Sequence, residues 1–367
     1  MHIQDTWKRA TGAGIKVAVI DGGVNPSSPS LQGRVLPGKD FAGVEGDETD
    51  DLDGHGTSIA ELIAGTGKGG GVKGLAPDAK IIPFRVPDSE LEKKQKVNHD
   101  GFLQAFKAAV ESDAQIINVS MGSDYYSSEL RDVVEDAQKK GKLLFAASGN
   151  DAKKGSKEHY PAAFPEAVSV AATTPEGKVA DFSQSASAVD ISAPGVDIPG
   201  WCDETFSAYC MTQGTSNSTA LASATAALIW SKHPEWTGNQ VLRVMFESAA
   251  RADDWKPGTM SRYLGHGIVR PNAHITRGLG KPGDPDVSPD TGKRVGGKPG
   301  STPKPPVPSD QGPEATASGD SPALAGSAKA DDSGSGTSSP YLIGGGIAAA
   351  AALAGAGALV ARRRRQA

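Results

Sequence analysis

Short apolar runs alternate along this chain with segments whose apolar positions recur at helical spacing, and polar words close the runs. Residues 15–20 read as a buried strand ending in Asp21-Gly22-Gly23. A polar loop, Asp50-Asp51-Leu52-Asp53-Gly54, leads through His55-Gly56-Thr57 into residues 58–64, which carry the apolar spacing of a buried helix. Strands are predicted at 81–86, 115–119, 143–147, 168–172 and 189–191, and helices at 99–111, 127–140 and 238–250. The strand at 115–119 ends in Ser120-Met121-Gly122, and that at 143–147 in Ser148-Gly149-Asn150-Asp151. Strands alternating with helices predict an α/β fold around a mostly parallel sheet.

One helix differs from the rest. From Ser216 the chain runs through small residues without a charge to Lys232. A helix apolar on every side belongs in a core, yet this one opens with Gly214-Thr215-Ser216. Ser216 reads either as a capping serine or as a nucleophile lying near unpaired backbone N–H groups and the positive end of a helix dipole. In an open parallel sheet, ligands bind beyond the carboxyl ends of the strands. Asp21, Ser120-Met121-Gly122 and Asn150 close strands, and His55 and Ser216 open helices, so all five features are predicted to meet on one edge.

Composition divides the chain. Its 367 residues carry a net charge of -5, which speaks against nucleic acid as a partner. Residues 280–339 contain 11 Gly, 10 Pro and no aromatic residue, and are expected to form a disordered linker after a folded domain at 1–279. Residues 340–361 are uncharged and precede Arg362-Arg363-Arg364-Arg365. At about 1.5 Å per residue such a helix just crosses a hydrocarbon core of roughly 30 Å. The arginines predict a cytoplasmic tail at 362–367, a single membrane pass and a folded domain outside the cell. No signal peptide is visible at the N-terminus, so the sequence is expected to start downstream of one. Cys202 and Cys210 would form one disulfide in an exported protein and two free thiols in a cytosolic one. The acidic cluster Asp47, Glu48, Asp50, Asp51 and Asp53 reads as a solvated loop.

A serine hydroxyl needs a base, and the base an orienting carboxylate. His55 and Asp21 are candidates for these roles, and the Asn150 carboxamide could donate to an oxyanion together with the Ser216 N–H. Each residue alone also reads as an ordinary turn or loop former. The ordered words Val19-Ile20-Asp21-Gly22-Gly23-Val24, Gly74-Leu75-Ala76-Pro77, Asp53-Gly54-His55-Gly56-Thr57, Ala146-Ala147-Ser148-Gly149-Asn150 and Gly214-Thr215-Ser216 together resemble the subtilisin-like serine peptidases (S8 family). The proline-rich segment and arginine-capped tail make the layout most similar to the mycosins of actinobacterial type VII secretion.

That resemblance implies a subtilisin-like three-layer fold and endopeptidase activity on polypeptide substrates, with a membrane secretion complex as a partner. It implies Asp21, His55 and Ser216 as the triad and Asn150 as the oxyanion donor. Ser120, Met121, Gly122, Ala147, Ser148 and Gly149 would flank the primary specificity pocket and pair with an extended substrate. It implies no cofactor, and no segment names metal ligands. A disulfide Cys202–Cys210 is expected to close a loop at the pocket rim. The chain departs from the family pattern in three places. Gly22 replaces a hydroxyl residue, Asn217-Ser218-Thr219 replaces Met-Ala-x-Pro-type packing, and Glu61 stands where many relatives carry glycine. These departures predict a slow, selective peptidase or, alternatively, an inactive scaffold. A lipase reading fails on its expected Gly-x-Ser-x-Gly word and on the order Ser, Asp, His.

Overall fold

A computed structural model describes residues 3–295, apart from 95, 99, 187, 253, 254 and 257. Seven parallel strands form the central sheet: β1 (Lys16–Asp21), β2 (Lys39–Asp40), β3 (Lys80–Arg85), β4 (Ile116–Val119), β5 (Leu143–Ala147), β6 (Val168–Thr173) and β7 (Ile191–Pro194). Their order is β2-β3-β1-β4-β5-β6-β7. The last strand lies two residues later than residues 189–191 predict, and β2 is too short to leave an apolar signature.

Successive strand side chains point to opposite faces, so each buried strand feeds two cores. Val17 and Val19 join Phe145, Val170 and Ile191 on one face, packed with α2 (His55–Ala64), α6 (Thr215–Lys232) and α7 (Gly238–Ser248). Ala18 and Ile20 join Ile117, Val119 and Leu144 on the other, beneath α4 (Gly101–Glu111) and α5 (Ser128–Lys139). The predicted helix–sheet–helix layering is present. Three short helices complete the set: α1 (Ile3–Trp7), α3 (Ser89–Lys94) and α8 (Pro271–Ile275).

Helix α6 runs through the first of these cores, with Ala220, Ala222, Ala224, Ala226 and Ala227 fully buried. Its small polar residues are satisfied internally. Ser218 donates to the Ala193 carbonyl (2.9 Å), and Ser223 donates to Asn118 Oδ1 (2.9 Å). These bonds tie the helix to β7 and β4 and fix its first turn against the sheet edge.

A two-stranded antiparallel ribbon of β8 (Ile198–Trp201) and β9 (Tyr209–Thr212) lies outside the main sheet. A disulfide joins Cys202 to Cys210 across it, with 5.1 Å between the α-carbons. The ribbon docks on α2. Trp201 N–H donates to Ser58 Oγ (2.8 Å), and Trp201 Nε1 (3.3 Å) and Tyr209 OH (2.7 Å) donate to Glu61. Ser28 Oγ donates to the same carboxylate. Glu61 is fully buried, and burial raises its pKa against these hydrogen bonds. The departure at Glu61 is therefore a polar anchor for the ribbon. Glu61→Ala leaves three donors unpaired, those of the buried Ser28 and the half-buried Trp201 and Tyr209, with an expected cost of about 2–4 kcal/mol. A urea-unfolding midpoint unchanged from wild type would contradict this role.

The expected domain boundary at 279 falls too early. Val287 and Ser288 are buried, and Lys293 pairs with Glu166 (2.9 Å). Arg243 donates to the Val287 carbonyl (2.8 Å), while Thr237 (3.0 Å) and Asn239 (2.9 Å) donate to that of Pro285. This segment is held by its backbone carbonyls, which composition does not reveal. The rest of the expected linker, the predicted membrane segment 340–361 and the basic tail lie outside the described residues. Among the described residues no helix is long and apolar enough to cross a membrane.

Candidate active site

Asp21 ends β1, where it is 2% exposed. Its Oδ1 accepts from the Gly22 N–H (2.9 Å) and lies 2.7 Å from His55 Nδ1. Because the acceptor is a carboxylate, Nδ1 carries the proton and Nε2 is left as the basic nitrogen. Gly56 permits this approach: a β-carbon there would stand 2.0 Å from the Gly23 carbonyl and 3.1 Å from Asp21 Cβ. Burial opposes a positive charge on His55. The charge and hydrogen bond of Asp21, with Asp53 and Asp51 behind it, outweigh burial and push His55 up to about 9.

Asp51 corrects the reading of the acidic cluster as solvated. It is 5% exposed and accepts from Gly54 N–H (3.0 Å), Thr57 N–H (2.7 Å) and Thr57 Oγ1 (2.6 Å). Desolvation pushes its carboxyl up to about 7, against the Thr57 hydrogen bonds. Asp51 clamps the first turn of α2, directly beneath His55. Asp-x-x-Gly-His-Gly-Thr was a readable signal for such a clamp, hidden among neighbouring acids.

Ser216 is the second residue of α6, and Gly214 holds the cap position. The capping alternative is thereby removed, and the hydroxyl is free for other work. It donates to the Ser120 carbonyl (2.9 Å), while Ser120 Oγ donates to the Ser216 carbonyl (3.1 Å). Asn150 approaches the same turn. Its Oδ1 accepts from Thr215 N–H (2.9 Å) and Thr215 Oγ1 (3.0 Å), which directs Nδ2 away from the helix. A methyl group on Gly214 would stand 3.6 Å from Asn150 Nδ2 and 3.7 Å from Ser216 N. Two N–H donors thus flank the space that this glycine leaves open. Such a pair can receive an oxyanion at no cost in reorganisation. Asn150→Ala is expected to lower kcat by about 10²–10³-fold with KM little changed, in steady-state peptide hydrolysis. An effect confined to KM would contradict an oxyanion role.

The departures have local causes. A β-carbon at Gly22 would meet Asp88 Oδ2 at 2.3 Å, so an acidic side chain occupies the place of the missing hydroxyl residue. Asp21 Oδ2 is buried without a hydrogen-bond partner among the described residues. Asn217 is buried and donates from Nδ2 to Thr212 Oγ1 (3.0 Å), which ties α6 to β9. Among the described residues no group of three or more His, Cys, Asp or Glu side chains is placed to hold a metal ion.

Fold and site together define an α/β protein with a carboxylate, an imidazole, a serine and a carboxamide gathered from distant segments at one edge of a parallel sheet. Residues 12–267 match the model of the subtilase family, peptidase S8, and the chain belongs to that family. It is 37% identical over 246 residues to subtilisin E of Bacillus subtilis, an alignment that covers 65% of this chain and 61% of the relative's length. The chain thus spans less than two thirds of that relative. Solved structures similar to it include MycP1 from Mycobacterium smegmatis, with a TM-score of 0.61 and 26% identity over 75% of this chain and 82% of that one. The MycP3 protease from the type VII (ESX-3) secretion system gives a TM-score of 0.60 and 28% identity over 75% and 86%.

Proposed function

We propose that this protein is a membrane-anchored serine endopeptidase that processes secreted or secretion-system proteins. The observation that supports the catalytic part is the pairing of His55 Nδ1 with Asp21 Oδ1 at the end of β1, together with Ser216 in the first turn of α6, where Asn150 bonds the neighbouring Thr215. Ser216 Oγ leaves the Ser120 carbonyl, turns to His55 Nε2 and attacks the scissile carbonyl as its proton passes to that nitrogen. Asp21 keeps Nδ1–H in place and stabilises the imidazolium. The tetrahedral oxyanion forms between Asn150 Nδ2 and Ser216 N–H. His55 then gives its proton to the departing amine, leaving an acyl-enzyme. Water enters by the same path, losing a proton to His55, and Ser216 Oγ regains it as the acid product leaves. Ser120–Gly122 and Ala147–Gly149 offer backbone edges to an extended substrate.

Likeness to MycP1 and MycP3 supports the secretion-system setting, and the uncharged stretch 340–361 with its four arginines supports the anchor. Asp21 Oδ2, without a hydrogen-bond partner among the described residues, supports slow turnover, because loosened geometry is costly in rate. Labelling with a fluorophosphonate probe tests the catalytic reading. Wild type is expected to label, and Ser216→Ala and His55→Ala are not. A folded wild-type protein that stays unlabelled would overturn it in favour of a non-catalytic scaffold. Alkaline carbonate extraction of membranes tests the anchor: deletion of 340–361 should move the protein to the soluble fraction.

A further inference from the structure

The ribbon of β8 and β9 is bonded to the first turns of both helices that carry His55 and Ser216. Its β8 side meets α2. Ser58 Oγ donates to the Gly54 carbonyl (2.6 Å) and accepts from Trp201 N–H (2.8 Å). Gly54 caps α2 immediately before His55. A β-carbon on Gly54 would stand 2.9 Å from Trp201 Cβ and 3.2 Å from the Asp203 carbonyl oxygen. The ribbon and the loop beyond it therefore lie directly on this turn. The β9 side meets α6. Asn217, which follows Ser216, donates from Nδ2 to Thr212 Oγ1 (3.0 Å), and that hydroxyl donates to the Ile198 carbonyl (2.9 Å) on the facing strand. One ribbon is thus hydrogen-bonded beside the histidine and beside the serine.

The ribbon is short. Its pairing runs only from Ile198 opposite Thr212 to Trp201 opposite Tyr209. A two-stranded hairpin of this kind is marginal by itself. The Cys202–Cys210 disulfide closes it at the end nearest Gly54, where Cys202 N–H also donates to the Ala208 carbonyl (3.0 Å). Both cysteines are exposed, so a dissolved dithiol meets them without the core opening. The helices below have other support: α2 and α6 are buried along most of their length.

We propose that the disulfide-closed ribbon is a brace that sets the position of His55 relative to Ser216, and that reduction of Cys202–Cys210 by a dithiol releases it. The inference rests on the peptidase reading above. One thiolate of the dithiol attacks a cysteine sulfur and expels the other cysteine as a thiolate, leaving a mixed disulfide. The second thiol of the reductant then attacks the reductant's own sulfur in that bond and releases the first cysteine. Two electrons and two protons pass to Cys202 and Cys210, and the dithiol leaves as a cyclic disulfide. Without the crosslink, the turn at Gly54 and the turn at Asn217 are no longer held by one rigid body. Proton transfer from Ser216 to His55 then loses alignment, while the core keeps the helices folded. Ser58, Thr212 and Asn217 are positioning residues in this scheme.

The test uses the full chain, a peptide p-nitroanilide and dithiothreitol as the reductant. Release of two thiols is expected to lower kcat at least tenfold, with KM within twofold and the thermal melt still well above the assay temperature. Reoxidation should restore kcat. Cys202→Ala/Cys210→Ala should match the reduced enzyme and ignore the dithiol. Ser58→Ala cuts the same tie, so it should lower kcat by itself and lose little more on reduction. Reduction that leaves kcat unchanged overturns the inference. So does a folded enzyme that releases no thiols, a loss confined to KM, a loss that tracks unfolding, or losses from Ser58→Ala and reduction that simply add. If the cysteine variant does not fold, the reduced wild type decides. Oxidised wild type that neither labels with fluorophosphonate nor cleaves overturns the peptidase reading and the inference with it. Oxidised wild type that labels and cleaves, with the same kcat after reduction, overturns the inference alone.

Discussion

Ser216→Ala is expected to lower kcat/KM for peptide hydrolysis by on the order of 10⁶-fold while the protein stays folded. The loss is large because the nucleophile has no substitute. Ser120 Oγ is buried and already bonded to the Ser216 carbonyl, and Ser218 Oγ is spent on that of Ala193. Stability should change by no more than about 1 kcal/mol, the scale of one hydrogen bond. The hydroxyl makes one such bond, to the Ser120 carbonyl, and the helix is held by many others. What remains should be slow hydrolysis supported by Asn150 and the bound geometry, since binding and oxyanion stabilisation survive removal of the nucleophile. Steady-state kinetics beside a thermal melt separate the two effects. Activity within tenfold of wild type would remove Ser216 from the mechanism.

Asp21→Asn should cost about 10⁴-fold in kcat/KM near neutral pH, because a carboxamide in that position can hold the wrong imidazole tautomer. The pH profile makes the prediction specific. In the wild type His55 must be neutral to act as base, and it is pushed up to about 9. kcat/KM is therefore expected to rise with pH on a limb near that value. Removing the Asp21 charge removes the largest of the effects that favour the imidazolium. The limb should then move to lower pH even as the maximum falls. A limb that stays in place would show that Asp21 does not set the protonation of His55. The shift also has a sign in stability. A histidine raised above its ordinary 6.5 contributes stability that is present below pH 6.5 and lost as pH rises through about 9.

Several features of the molecule are legible without coordinates. Apolar runs ending in polar words give β1, β3, β4, β5 and β6 and place Asp21, Ser120 and Asn150 at strand ends, because a strand buried on both faces must be apolar throughout. The small-residue run after Gly214 marks α6 as central, since only such side chains let a helix lie this close to a sheet. Chain order and local words then single out His55 and Ser216 among many histidines and serines.

Tertiary contacts decided the rest. Whether Asp51 was solvated could not be read from a run of acids, because its burial depends on Thr57 folding back over it. The end of the folded part depends on Arg243, Thr237 and Asn239, which reach across to backbone carbonyls that no composition measure registers. Glu61 takes its role from Trp201 and Tyr209, which reach it from a ribbon about 140 residues away in the chain. Periodicity and local words are properties of neighbours in sequence, so the sequence determined the sheet, the central helix and the candidates for chemistry. Burial and docking are properties of neighbours in space, and only the folded chain could assign them.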